Sequence, residues 1–145
     1  MELPVRYPDI LNLLPQAPPF VFVDELVWAT QDAGNSRYVM PAHHFLSSKG
    51  RVSAEALLEI MAQTGALHQG YRALSEGRER PVGFIAAVDR AVFHVLPPVG
   101  VILETVFTFK NLYGTIAVAE GCITQENKLI AEAVFKIFSR DNSSF

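Results

Sequence analysis

Residues 53 to 70 read SAEALLEIMAQTGALHQG. Between Ala54 and Leu67 the polar side chains are Glu55, Glu59, Gln63 and Thr64. A spacing of four lines up Glu55, Glu59 and Gln63 along one edge of a helix. Just upstream, the stretch AHHFLSSKGR (42–51) carries two adjacent histidines, His43 and His44. Histidine moves protons near neutral pH, because its unperturbed pKa is about 6.5. A carboxyl beside an apolar helix is desolvated, and desolvation can keep such a group protonated as an acid. The free N–H groups at a buried helix start, near Ser53 to Glu55, can donate to a developing negative oxygen. All three kinds of group lie within Ala42–Gln63. The set suits acid–base chemistry that needs neither metal nor organic cofactor.

Other titratable residues read as structural. His68 falls on the opposite side of the helix from Glu59 at about 100° per residue, so an exposed or interfacial place is expected. His94 is expected to sit half-buried and satisfied in a strand. Cys122, between Gly121 and Ile123, is expected to be a small buried hydrophobe. Asp24 and Asp89 are expected to bind backbone amides near strand ends. Gln63 is expected to bond backbone or Glu59, and Glu55 to favour the helix dipole. Trp28, Tyr38 and the phenylalanines read as core. Lys49, Arg51, Arg72, Arg78, Arg80 and Arg90 cluster in sequence around the helix, either as solvated surface or as a patch for an acidic partner or for phosphates.

These residues need a frame. A surface helix shows one apolar stripe, whereas 53–70 is apolar almost all the way round. Something must wrap it, and a strongly curved antiparallel sheet does so. Ser53 suits the N-cap and Gly77 the left-handed closing position, which gives a helix roughly 35 Å long. Asp9 is expected to cap a short helix ended by Pro15. Segment 20–30 (FVFVDELVWAT) reads as a strand, QDAGNS (31–36) as a turn, RYVM (37–40) as a second strand, and 42–51 as an irregular loop. Four further strands are expected at 83–96, 101–113, 115–125 and 128–139, broken by Gly100, YGT and QENK. No alternating βαβ pattern appears, which argues against a doubly wound parallel sheet.

The order of these pieces resembles the hotdog fold of the 3-hydroxyacyl-ACP dehydratases, the FabZ-type enzymes. Three segments carry the resemblance: LLPQAPPFVFVDEL (13–26), LLEIMAQTGA (57–66) and VDRAVFHVLPPVGVIL (88–103). It implies an α+β hotdog domain over residues 1–145, a curved antiparallel sheet around one long central helix. It implies a dimer with the helices side by side and the site at their interface. Glu59 falls on the family's helix glutamate and Gln63 on its glutamine. The family's loop histidine falls on His44 when the histidine–phenylalanine pair is matched. It falls on His43 when the strand end is matched, as in the divergent ApeP-like proteins of aryl-polyene gene clusters. The loop lacks the family's first proline-glycine, and Ser53-Ala54 replaces the second.

The resemblance implies dehydration of 3-hydroxyacyl thioesters to trans-2-enoyl thioesters, carried on acyl carrier protein or coenzyme A. His44 or His43 would be the base, and Glu59 would serve the departing hydroxyl. Amides near Ser53 and Ala54 would hold the thioester carbonyl, with Gln63 in support. Two alternatives remain on the same fold: a thioesterase, and a non-catalytic subunit paired with an active dehydratase. Either a homo-oligomer or a heterodimer with a related hotdog subunit is consistent with this.

Composition narrows the field further. The 145 residues are half hydrophobic and 19% charged, as one globular domain requires. A net charge of −3 with no basic run disfavours nucleic acid as a partner. One cysteine makes neither an internal disulfide nor a zinc site alone. With no signal-like opening and no apolar run of membrane-spanning length, a cytoplasmic setting is expected.

Overall fold

The computed structural model describes residues 1–80 and 83–139. In chain order the elements are β1 (Val5–Arg6), a 3-10 turn (Asp9–Asn12), β2 (Glu25–Ala29), β3 (Ala33–Val39), β4 (Ser47–Ser48), β5 (Arg51–Val52), α1 (Ala54–Ser75), β6 (Gly83–Phe93), β7 (Ile102–Tyr113), β8 (Ile116–Gln125) and β9 (Lys128–Ser139). Seven strands form one sheet in the order β1-β2-β3-β7-β8-β9-β6. Every pairing in it is antiparallel. The helix packs chiefly on β3 and β7, with β2 and β8 beside them. This is the wrapped-helix architecture that the resemblance implies. Among the described residues, no helix is long and apolar enough to cross a membrane.

The sequence signals for α1 hold at both ends. Ser53 Oγ accepts from the Ala56 N–H at 3.2 Å, and Gly77 adopts a φ of +64° past the last turn. A positive φ costs a side-chain-bearing residue about 1 kcal/mol, which glycine avoids. Along β7, Leu103, Thr105, Phe107 and Phe109 point inward, as period-two alternation requires. Leu57, Ile60 and Met61 of the helix meet Leu103, Phe107 and Phe135 in the larger core. Close approach is bought with glycine at two crossings. A Cβ on Gly65 would lie 2.7 Å from the Phe107 ring, and one on Gly70 would lie 2.1 Å from the Leu13 carbonyl oxygen.

Several boundaries differ from expectation. Segment 31–36 is mostly strand, not turn. Its small polar residues are packing residues: Gly34 lets β3 approach His68, and Ser36 Oγ lies 2.7 Å from Thr64 Oγ1. Asn35 Nδ2 donates to the Thr105 carbonyl at 3.1 Å. Residues 20–24 precede β2 instead of joining it, and the backbone of Phe20 and Phe22 is held by the helix, as described below. Loop 42–51 contains β4, which pairs with β5 as a small hairpin. Asp9 caps nothing; it is the first residue of the 3-10 turn, and Pro8 occupies the cap position.

Candidate active site

Gln63 is fully buried and makes three hydrogen bonds. Its Oε1 accepts from the Phe22 N–H at 2.7 Å. Its Nε2 donates to the Phe20 carbonyl at 2.8 Å and to Glu59 Oε1, one turn back, at 2.9 Å. One side chain therefore binds the segment Phe20–Phe22 to the helix and contacts Glu59 beside it. Residues outside any strand leave backbone groups without a ladder partner, and a buried amide side chain satisfies them.

That same segment supports a histidine. The His44 ring packs edge-on against Phe22 at 5.3 Å between centroids and stacks on Phe45 at 4.5 Å. Its Nδ1 accepts from the Leu46 N–H at 3.0 Å. Leu46 in turn accepts, through its carbonyl, from the N–H of the cap residue Ser53 at 3.1 Å. Desolvation lowers the His44 pKa below its ordinary value. Glu59, Gln63, His44 and the helix N-terminus thus form one connected constellation within a single chain. Around it the aromatic rings are open: Phe20 is 59% exposed and Phe45 57%, in edge contact with each other.

The other expected site residues fall differently. His43 is exposed, with a φ of +63°, and no hydrogen bond holds its ring among the described residues. Ser53 spends its hydroxyl on the cap, so its contribution to a ligand is limited to position. The N–H groups of Ala54 and Glu55 have no protein acceptor among the described residues, as the first turn of a helix leaves them. Among the described residues, no three His, Cys, Asp or Glu side chains stand together as a metal site.

Several readings outside the site are corrected. His68 is neither exposed nor interfacial within this chain; its exposure is 0%. The sheet lies on the side of the helix away from Glu59, so His68 faces Gly34 of β3 and Phe109 of β7. Its Nε2–H donates to the Thr30 carbonyl at 2.7 Å, and desolvation lowers its pKa. His94 is exposed and lies just beyond β6, with Nε2 3.0 Å from Glu132 Oε2. Cys122 is half-buried, because it alternates outward from Gly121 and Ile123, and desolvation raises its thiol pKa. Asp24 accepts from the Val39 N–H at 2.9 Å as expected, whereas Asp89 pairs with Lys136 at 3.8 Å. Trp28 is exposed rather than core.

The basic residues do not make one patch. Arg72 and Arg78 both bond Glu76 at the helix's far end, and Arg80 donates to the Leu13 carbonyl at 2.9 Å. Lys49 and Arg51 stand before the helix start, roughly 33 Å away at 1.5 Å per residue. Sequence reasoning missed the part played by Phe20, Phe22 and Leu46. The first two lie in a stretch that resembles the family's opening, but their backbone role follows only from where Gln63 points.

The family model described as ApeP-like, ApeP dehydratase, matches residues 8–145. The chain belongs to the ApeP-like dehydratase family. Among solved structures, the dehydratase heterocomplex ApeI:P from Xenorhabdus doucetiae superposes with a TM-score of 0.83 at 14% identity, covering 97% of this chain and 93% of that chain. The Cj0977 virulence protein regulated by sigma28 from Campylobacter jejuni gives 0.69 at 9% identity, over 91% and 88%. A hypothetical thioesterase with coenzyme A from Streptococcus pneumoniae TIGR4 gives 0.64 at 14%, over 79% and 84%. At such identities the likeness establishes the hotdog fold. No curated protein sequence matches the chain.

Proposed function

We propose that this ApeP-like chain eliminates water from 3-hydroxyacyl thioesters, giving trans-2-enoyl thioesters, with Glu59 and His44 as its acid–base pair. The observation that carries this is the Gln63 bridge. It ties the Glu59 carboxylate to the backbone of Phe20 and Phe22, the Phe22 ring packs on His44, and the amides of Ala54 and Glu55 stand unpaired at the helix start. Elimination needs an acid–base pair and donors for the enolate oxygen, and these residues supply both. His44 fits the histidine role better than His43, because its ring is anchored by Leu46 and Phe22. The open Phe20–Phe45 surface suits an acyl chain. We take acyl carrier protein as the carrier, with coenzyme A as the competing one.

A second reading concerns assembly. The structure with a TM-score of 0.83 is a heterocomplex of dehydratase-type proteins. The present chain would then pair with a related hotdog subunit, and a homodimer is the alternative. The test is hydration of 2-enoyl thioesters and dehydration of 3-hydroxyacyl thioesters by purified protein, on both carriers, with Glu59→Gln beside wild type. Turnover lost in the variant supports the reading. Release of free acid would move the activity to thioester hydrolysis. A folded but inert protein that gains turnover only with a second subunit would make it an accessory chain.

A further inference from the structure

His68 has no part in the chemistry proposed above, yet its burial is complete. Both of its ring nitrogens have a neighbour. Nε2 stands 2.7 Å from the Thr30 carbonyl oxygen, which can only accept, so Nε2 carries a proton. Nδ1 stands 3.3 Å from Nε2 of Gln69, which can only donate, so in the neutral ring the Nδ1 lone pair accepts that bond. The Oε1 of Gln69 is buried and has no hydrogen-bond partner among the described residues.

A side-chain amide carries a donor and an acceptor on nearly the same shape. Against a neutral His68 the Gln69 amide must show its nitrogen, because the turned amide would set two lone pairs against each other. Against a protonated ring that nitrogen would oppose the new Nδ1–H, and the turned amide offers Oε1 in its place. Either orientation puts one Gln69 atom where the other now lacks a partner. Turning therefore costs no further pairing. It replaces a long bond between neutral groups with a charge-assisted one.

We propose that His68 and Gln69 form a buried proton-binding pair: when the ring takes a second proton, the Gln69 amide turns over to accept it on Oε1, and the helix keeps its hold on the Thr30 carbonyl. That hold belongs to a set of three. Arg72 Nη1 donates to the Gln31 carbonyl, and the Phe109 N–H of β7 donates to the Asp32 carbonyl at 2.7 Å. Three successive carbonyls of the β2–β3 connection are thus bound by His68, Arg72 and Phe109. Around the ring, Arg72 of the helix opposes the second proton and Asp32 of the connection favours it. Gly34 of β3 and Phe109 of β7 bring no charge. Burial opposes the proton most strongly and holds the His68 pKa below its ordinary value. Loading therefore takes place on the acidic side of about pH 6.5.

The test is an NMR titration of the full chain with 15N-labelled histidine, with His68→Gln to identify the resonances. Gln69→Leu removes both bonds to Nδ1, and the stronger of the two belongs to the protonated ring. The His68 midpoint should therefore fall by about one pH unit in that variant. The wild type supplies a second readout that needs no substitution at Gln69. The Nε2–H signal should persist on both sides of the midpoint, and an Nδ1–H signal protected from solvent exchange should appear below it. A midpoint in Gln69→Leu that is unchanged or raised overturns the pairing. So does loss of the Nε2–H signal on protonation, or unfolding of the wild type before His68 titrates.

Discussion

Replacing Gln63 by leucine should destabilise the fold by about 2 kcal/mol. The size follows from what each lost hydrogen bond leaves behind. The Phe22 N–H is buried and would have no acceptor, at a cost of roughly 1–3 kcal/mol. The Phe20 carbonyl is partly buried and can recruit water, so its loss costs about 0.5–1 kcal/mol. The Glu59 contact is likewise partly buried and adds a few tenths. Leucine offsets part of this by burying more apolar surface, about 1 kcal/mol. Helix propensity cannot be the cause, since leucine ranks with or above glutamine. Denaturant unfolding at one protein concentration reads the change as a lower midpoint at unchanged slope. A thermal scan should show a fall of about 4–8 °C. A loss below about 0.5 kcal/mol would refute the claim that this one side chain fastens Phe20–Phe22 to the helix.

Gly70→Ala should destabilise by about 1–3 kcal/mol, because the added Cβ meets backbone at 2.1 Å from the Leu13 oxygen, although alanine favours a helix by about 1 kcal/mol. Unchanged unfolding would show that the N-terminal segment does not press on the helix there. Ser53→Ala should cost about 1 kcal/mol through loss of the helix cap, read by the same titration. His68 has a folded-state pKa below its unfolded value, with desolvation as the main cause and Arg72 and Asp32 facing it with opposing effects. Its stabilisation is therefore complete above about pH 6.5 and is lost as pH falls through the lowered folded value. In His68→Gln that part of the pH slope should vanish, and a slope that persists in full would point to other groups.

The helix was legible because its signals are local. Ser53, Gly77 and an apolar surface on every side specify both its limits and its wrapping. The four long strands from 83 onward were legible for the same reason, since alternation and turn residues such as Gly114, Glu126 and Asn127 mark them. The misreadings share a different cause. Gly34, Asn35 and Ser36 have turn chemistry in sequence, but the small size of Gly34 and Ser36 serves close packing of strand on helix, and Asn35 bonds the neighbouring strand. Helical angle puts His68 opposite Glu59, yet angle does not say which of the two faces the sheet covers. Glu59, Gln63 and the histidine pair could be singled out by type and spacing. Their connection could not, because it runs through the backbone of Phe20, Phe22 and Leu46, and a backbone amide has no signature in sequence.

The central claim is that Glu59 performs chemistry on a 3-hydroxyacyl thioester. The direct measurement is turnover of 3-hydroxyacyl and 2-enoyl thioesters on acyl carrier protein, followed by mass of the acyl group, for wild type and Glu59→Gln at equal folded concentration. A reversible change of one water in wild type, with about a 1000-fold loss in the variant, is the expected result. Equal rates in the two proteins would contradict the account, and Glu59 would then be a structural partner of Gln63.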